Sequence, residues 1–308
     1  MKKIILVTFS AVVFLTSCET KSVNSQRPEN INVSPTKENT LINQTESVEK
    51  TVYVSKIWNE KDSLEVENFI VKKVSHKVKP KDLIEADVTD AIIQKNGKTL
   101  LKLDGIYHGL GNATDFALFP LLGEYQKQLI VSHTVPRGGI HYVIGFSPNP
   151  KVIFDSRDFA IGGEDLAIED VDNDGIYEVL LDKSGDFFNF VSSEIPFVTI
   201  IFQSDKQTQK FLPVNHRLPE NASEHIDGQI KRFNESKEKR FSAVLEILLT
   251  YLYAGKEKEA WEFFDKNFQP QDWSFGRVEN KEDTKIIIKD ALDKDPIYKF
   301  IKNDLNAK

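Results

Sequence analysis

Apolar and polar positions divide the chain into four stretches. Residues 4–15 form a predominantly apolar run of about a dozen behind Lys2 and Lys3, too short for a membrane span, which needs about 20. Residues 19–50 are rich in Asn, Ser, Thr, Glu and Lys, with Pro28 and Pro35, and have few large apolar side chains and no period. Such a segment buries too little surface to offset its ordering entropy, which predicts a disordered tether over 18–50. From 51 to 215, short apolar runs alternate with turn residues. Strands are predicted at 128–135, 140–146 and 151–155, with a turn at Pro136-Arg137-Gly138-Gly139 and a stop at Pro148-Asn149-Pro150. A further hairpin is predicted from 196–203 and 208–212 around Ser204-Asp205-Lys206-Gln207.

Near residue 215 the period changes. Residues 241–254 are apolar on nearly every side, as a buried helix requires, and Gly255 supplies a stop. Residues 256–268 continue with Ala260, Trp261, Phe264 and Phe268 on one stripe, which places Trp261 in a hydrophobic helix–helix interface. Two shorter helices are predicted at 281–292 and 296–305. The expected fold class is therefore α+β: an antiparallel β-rich domain over 51–215, propeller-like or a sandwich, followed by a small helical domain over 216–308.

Composition narrows the function. The net charge is -7, with Lys and Arg scattered, which argues against a nucleic-acid partner. The single cysteine, Cys18, rules out an intrachain disulfide. It follows Leu15-Thr16-Ser17, and with the charged start and apolar run this resembles the lipobox of bacterial lipoproteins. That resemblance implies a signal peptide over 1–17, cleavage after Ser17 and a lipid on the Cys18 thiol. It also implies an envelope location outside the cytoplasm, the membrane being a partner through the lipid. An ordinary secretory signal with a chance cysteine is the alternative.

The stretch richest in chemistry is Asp170-Val171-Asp172-Asn173-Asp174-Gly175-Ile176-Tyr177-Glu178. Alternating carboxylates before a glycine suit a tight loop around calcium, a hard cation that takes six to eight oxygens. Asp170, Asp172 and Asp174 can converge there, with the Ile176 carbonyl and the Glu178 carboxylate completing the set. An EF-hand is not indicated, because the twelfth residue from Asp170 is Leu181 rather than Glu. Residues 159–181 resemble one FG-GAP or VCBS-type repeat, and the resemblance implies that these five residues hold a structural calcium ion within a propeller blade. The sequence departs from that pattern in its Phe-Ala-Ile-Gly-Gly opening and in Glu178, where Asp is common. Asp104-Gly105-Ile106-Tyr107 repeats part of the motif without its acids, either by coincidence or as a decayed copy. The alternative for the acidic loop is a solvated β-turn, since Asp, Asn and Gly favour turns without metal.

Other signals are weaker. The hairpin over 241–268 resembles half of a tetratricopeptide repeat, but only one copy is visible and an ordinary helical hairpin serves as well. With Val135 opposite Ile140, His133 and His141 fall on opposite faces, against a shared zinc site. Gly-x-Ser-x-Gly is absent, and the pairs Glu164-Asp165 and Glu169-Asp170 read as structural. The expected function is a non-enzymatic binding or scaffold lipoprotein with a protein or peptide partner. The alternative is an extracytoplasmic hydrolase with acidic residues in a cleft near the same loop. A third reading is a peptide groove over 241–268.

Overall fold

The computed structural model describes residues 51–107, 113–123, 126–135, 138–162, 165–184, 196–237, 240–273, 276–278 and 280–307. The expectations for residues 1–50, including Cys18, lie outside these, as does Glu164. In chain order the strands are β1 (Thr51–Tyr53), β2 (Ser63–Val66), β3 (Phe69–Val78), β4 (Ala86–Lys95), β5 (Lys98–Leu103), β6 (Ala113–Phe119), β7 (Gln128–Val135), β8 (Gly138–Gly145), β9 (Lys151–Asp155), β10 (Ala167–Glu169), β11 (Glu178–Ser184), β12 (Phe197–Ser204) and β13 (Phe211–Pro213). Helices α1 (Pro219–Glu235), α2 (Phe241–Tyr253) and α3 (Glu257–Asn267) follow, then a small hairpin of β14 (Gln271–Trp273) and β15 (Gly276–Val278), then α4 (Lys281–Leu292) and α5 (Pro296–Asn306). The chain is thus an antiparallel β-rich part followed by helices, the α+β class that the pattern predicts.

The strands form three antiparallel sheets: β2-β3-β4-β5, β6-β7-β8-β9, and β1-β10-β11-β12-β13. Each is a meander of sequence neighbours, except that β1 returns to pair with β10. The middle sheet is buried on both faces. Leu129, Val131, Tyr142 and Ile144 share a core with Val71, Ala91 and Ile93 of the first sheet. Ile130 and Val143, on the opposite face, share a larger core with Val179, Leu181, Ile200 and Phe202 of the third sheet and with the helices. Burial on both faces explains why β7 reads as an apolar run rather than an alternation. Among the described residues the sheets close into neither a barrel nor a propeller. The Asp104-Gly105-Ile106-Tyr107 segment follows the last strand of its meander, whereas Asp174–Tyr177 lies between the first two strands of another. The two are not equivalent positions.

The β7–β8 register differs from the expected one. Val135 pairs with Gly138 rather than Ile140, so His133 faces Ile140 and His141 faces Ser132. The glycines join the strand because the backbone approach there is close: a Cβ on Gly138 would lie 2.6 Å from the Gly162 carbonyl oxygen, and its φ is +142°. The shift of two residues preserves side-chain parity, so the histidines still lie on opposite faces.

Helix α1 is the main element that the sequence pattern did not announce. Its buried residues are only Ile226, Gln229 and Phe233, a narrow stripe in an otherwise polar segment that starts with Pro219. Helix α2 is buried nearly all round, as its sequence requires. The helices are fastened to the third sheet by a buried polar cluster. Lys183 Nζ lies 3.3 Å from Asp295 Oδ1 and donates to the carbonyls of Phe159 (3.2 Å) and Ala160 (3.3 Å). The Tyr253 hydroxyl donates to Asp295 Oδ2 at 2.5 Å, and the Ile297 amide donates to Asp295 Oδ1 at 3.2 Å. Burial holds the Lys183 pKa below its ordinary value against the pull of Asp295, and raises that of Tyr253. The described residues belong to one compact unit, with a core shared by sheet and helices.

Two predictions follow from this packing. Phe264 is fully buried against Phe241, Trp261 and Phe268, whereas Trp261 is half-buried beneath Lys289, whose Nζ lies 5.2 Å from the ring centroid. Phe264→Ala should therefore cost about 3–5 kcal/mol in chemical denaturation, and Trp261→Ala distinctly less. His133 is sealed in the interior, edge-on to Tyr142. The Thr114 hydroxyl donates to the Thr89 carbonyl, so it accepts from His133 Nδ1–H at 2.8 Å, leaving Nε2 bare and without a partner. A proton on Nε2 would put an unpaired charge in the core, and burial lowers the pKa to about 4. Between that value and about 6.5 the unfolded chain binds the proton and the folded chain does not, so stability falls as pH drops through this window. His133→Leu should flatten the stability–pH curve there by up to about 3 kcal/mol, read from denaturant melts at stepped pH.

Candidate metal centre and adjoining cavity

The acidic loop links β10 to β11, which pair with Glu169 opposite Glu178. Asn173 (φ +58°) and Gly175 (φ +81°) take left-handed conformations that curl the chain, and the curl turns successive amides inward. Asp170 accepts from the amides of Asp174 (3.0 Å) and Gly175 (3.1 Å), and Asp174 accepts from the Ile176 amide (2.8 Å). Asp172 accepts from the Asp174 amide at 3.3 Å and from Gln203 Nε2 at 3.0 Å. The loop leaves toward the middle sheet, where the Tyr177 amide donates to the Leu121 carbonyl and its ring meets Phe119 edge-on.

Of the five residues expected to hold the ion, Asp170, Asp172 and Asp174 come together, with one oxygen from each within 4.8 Å of the others. Oxygens bound to one calcium at about 2.3–2.6 Å lie at most about 5.2 Å apart, so the three fit a single ion. Each carboxylate keeps lone pairs beyond those its backbone donors use. Ile176 lies in the same loop, half-buried.

Glu178 takes a different position. It is fully buried beneath the loop, accepting from the Val171 amide at 2.8 Å and from Gln203 Nε2 at 3.0 Å. Burial first, and then the charges of Asp172 and Asp174, raise its pKa to about 7 against the pull of those two hydrogen bonds. Gln203 bridges Asp172 and Glu178 from β12, a role that sequence alone did not signal, since it depends on the pairing of β11 with β12. Asp165 also has a structural position, accepting from the Ser55 hydroxyl at 2.5 Å and so holding the chain after β1.

No protein-family model, curated protein or solved structure matches this chain. The residues themselves therefore carry the functional argument.

Beside the loop lies a cavity of about 250 Å³. The outer face of the third sheet forms one wall through Glu169, Leu180, Thr199 and Ile201, and Val171 joins from the loop. The other walls come from Asn215, from α1 and from Thr250 and Ala254 at the end of α2. Apart from Glu169, the acids near the loop do not line it.

The curled loop predicts a specific cost. A Cβ on Gly175 would meet nothing within 4 Å, so the penalty of Gly175→Ala is conformational alone. A fall in metal-free stability of about 1–2 kcal/mol is expected from equilibrium unfolding.

Proposed function

We propose that the chain is a bacterial envelope lipoprotein, lipid-anchored through Cys18, of non-enzymatic binding or scaffold type. Its β part carries a structural calcium loop at Asp170, Asp172 and Asp174, with Ile176 and Glu178 completing or supporting it. The observation that carries the calcium reading is the convergence of three carboxylates within 4.8 Å in a loop curled by Gly175. Their mutual repulsion favours a cation, and calcium suits an all-oxygen donor set. The Leu15-Thr16-Ser17-Cys18 pattern supports the anchor. No helix among the described residues is long and apolar enough to cross a membrane.

A structural rather than catalytic role is favoured because the loop carboxylates are engaged by the loop's own amides and by Gln203. A hydrolase needs carboxylates facing a substrate cleft, and the adjoining cavity presents one, Glu169.

The decisive experiment is calorimetric titration of calcium into metal-free protein and into Asp172→Ala. Binding is expected in the parent and lost in the variant. At tenfold excess over the dissociation constant the gain in stability should be about 1.4 kcal/mol, reversed by chelator. Magnesium should do less, since it demands tighter octahedral geometry. No calcium heat, with superimposed melting curves, returns the loop to an acidic turn. Mass spectrometry of the mature N-terminus tests the anchor: a lipidated Cys18 is expected, and an unmodified thiol or another start contradicts it.

A further inference from the structure

We infer that the turn between β3 and β4 is a membrane-contact site: its apolar tip, Leu83 and Ile84, enters the surface of an anionic bilayer, with Lys79 and Lys81 set against the lipid phosphates. The inference goes beyond the anchor reading above and rests on it for the nearness of a membrane. A lipid on Cys18 would tether the chain, whereas this contact would orient the folded part against the bilayer.

Strands β3 and β4 pair as far as Val78 with Ala86, and residues 79–85 form the turn. No residue from 72 to 85 joins either hydrophobic core. Ile84 is 74% exposed, the most of any large hydrophobic among the described residues, and Leu83 beside it is 53% exposed. Single apolar side chains on a surface are ordinary, but an adjacent pair at the end of a hairpin presents a continuous apolar tip. Hydrogen bonds fix its backbone. The Leu83 amide donates to the Pro80 carbonyl at 3.2 Å, and the Tyr107 hydroxyl donates to the Ile84 carbonyl. A tip held in advance loses less entropy on binding than a loop ordered by its partner.

Charge selects the partner. From Lys72 to Lys81 the chain carries five lysines and no acid. Within the turn, Glu85 is matched by Lys77 at 3.0 Å, so Asp82 is its one unmatched acid. Lys79 and Lys81 are exposed and have no ion-pair partner among the described residues. Residues 77–85 thus hold three lysines against two acids, in a chain whose net charge is -7. The next acid, Asp87, stands opposite Lys77 at the base of the turn. Aliphatic side chains at a bilayer surface enter the acyl boundary, while lysine stems let their ammonium groups reach the phosphates. Reach does not limit the contact: Cys18 and Thr51 are 33 positions apart, a span of up to about 110 Å.

The test is co-flotation of the full mature chain carrying Cys18→Ser, so that no attached lipid contributes, with vesicles of phosphatidylglycerol and phosphatidylcholine or of phosphatidylcholine alone. Partition into the anionic vesicles is expected to be at least tenfold the stronger. Leu83→Ser with Ile84→Ser should lower it at least tenfold. Lys79→Gln with Lys81→Gln should lower it about 20-fold, since each lysine at an anionic surface contributes about fivefold. Ile286→Ser with Ile287→Ser, at the exposed pair on α4, should leave it unchanged. Anionic vesicles should also shift the emission of Ile84→Trp to shorter wavelength relative to the parent. All these sites are exposed, and melting curves would show that the variants remain folded. Failure of the parent to float with anionic vesicles at low salt, partition unchanged by the Leu83 and Ile84 substitutions, or an unshifted Ile84→Trp overturns the inference. The two readings fail separately: a lipidated Cys18 in the native protein without vesicle binding sinks the hairpin contact alone, and vesicle binding with an unmodified native Cys18 sinks the anchor alone.

Discussion

One buried ion pair determines how the two kinds of structure in this chain meet. Lys183 projects from β11 into the core with Val179 and Leu181, and its ammonium reaches Asp295 in the turn before α5. The same aspartate takes the Tyr253 hydroxyl from the end of α2, and the same lysine takes two carbonyls from the turn after β9. Four segments distant in sequence meet within one set of hydrogen bonds. Burying two charges is expensive, and their attraction offsets that cost only when the geometry is good and the remaining donors and acceptors are satisfied. Here they are satisfied by two carbonyls in the turn after β9, by the Tyr253 hydroxyl of α2 and by the Ile297 amide of α5. The arrangement therefore fixes where the helices sit more than it adds to stability.

The outer face of the third sheet inherits its geometry from that anchorage. Inward residues of β11 and β12 fill the core, and the alternate residues Glu178, Leu180, Thr199, Ile201 and Gln203 face outward. Part of this outer face supports the acidic loop, through Glu178 and Gln203. The neighbouring part forms the cavity wall, because α2 is held by Tyr253 and α1 packs on α2 through pairs such as Gln229 with Glu246 (2.8 Å). Loop and cavity are adjacent: Glu169 lines the cavity, Asp170 opens the loop, and Val171 touches both.

Much of the fold was legible wherever local pattern and burial agree. The strands at 128–135 and 151–155 and the helix at 281–292 lie where their apolar patterns place them. The acidic loop was legible too, because carboxylate spacing and a glycine are local signals. Helix α1 was not, since three buried residues in seventeen give too weak a period, and with it went the cavity that it walls. The β7–β8 register was also hidden, because it depends on the approach of Gly162 to Gly138. The partners of Lys183 could not be read at all. Its inward position follows from alternation with Val179 and Leu181, but alternation does not say which distant acid will meet it.

The most direct test of the anchorage is a double-mutant cycle on Lys183→Met and Asp295→Asn by equilibrium unfolding. The asparagine keeps an acceptor for the Ile297 amide at the start of α5. Lys183→Met alone leaves a buried carboxylate without its cation and should cost about 3–5 kcal/mol, while the double variant should recover most of that loss. A coupling energy of about 2 kcal/mol or more is the expected result. Additive effects, with coupling below about 0.5 kcal/mol, would contradict the view that this pair joins the helices to the sheet.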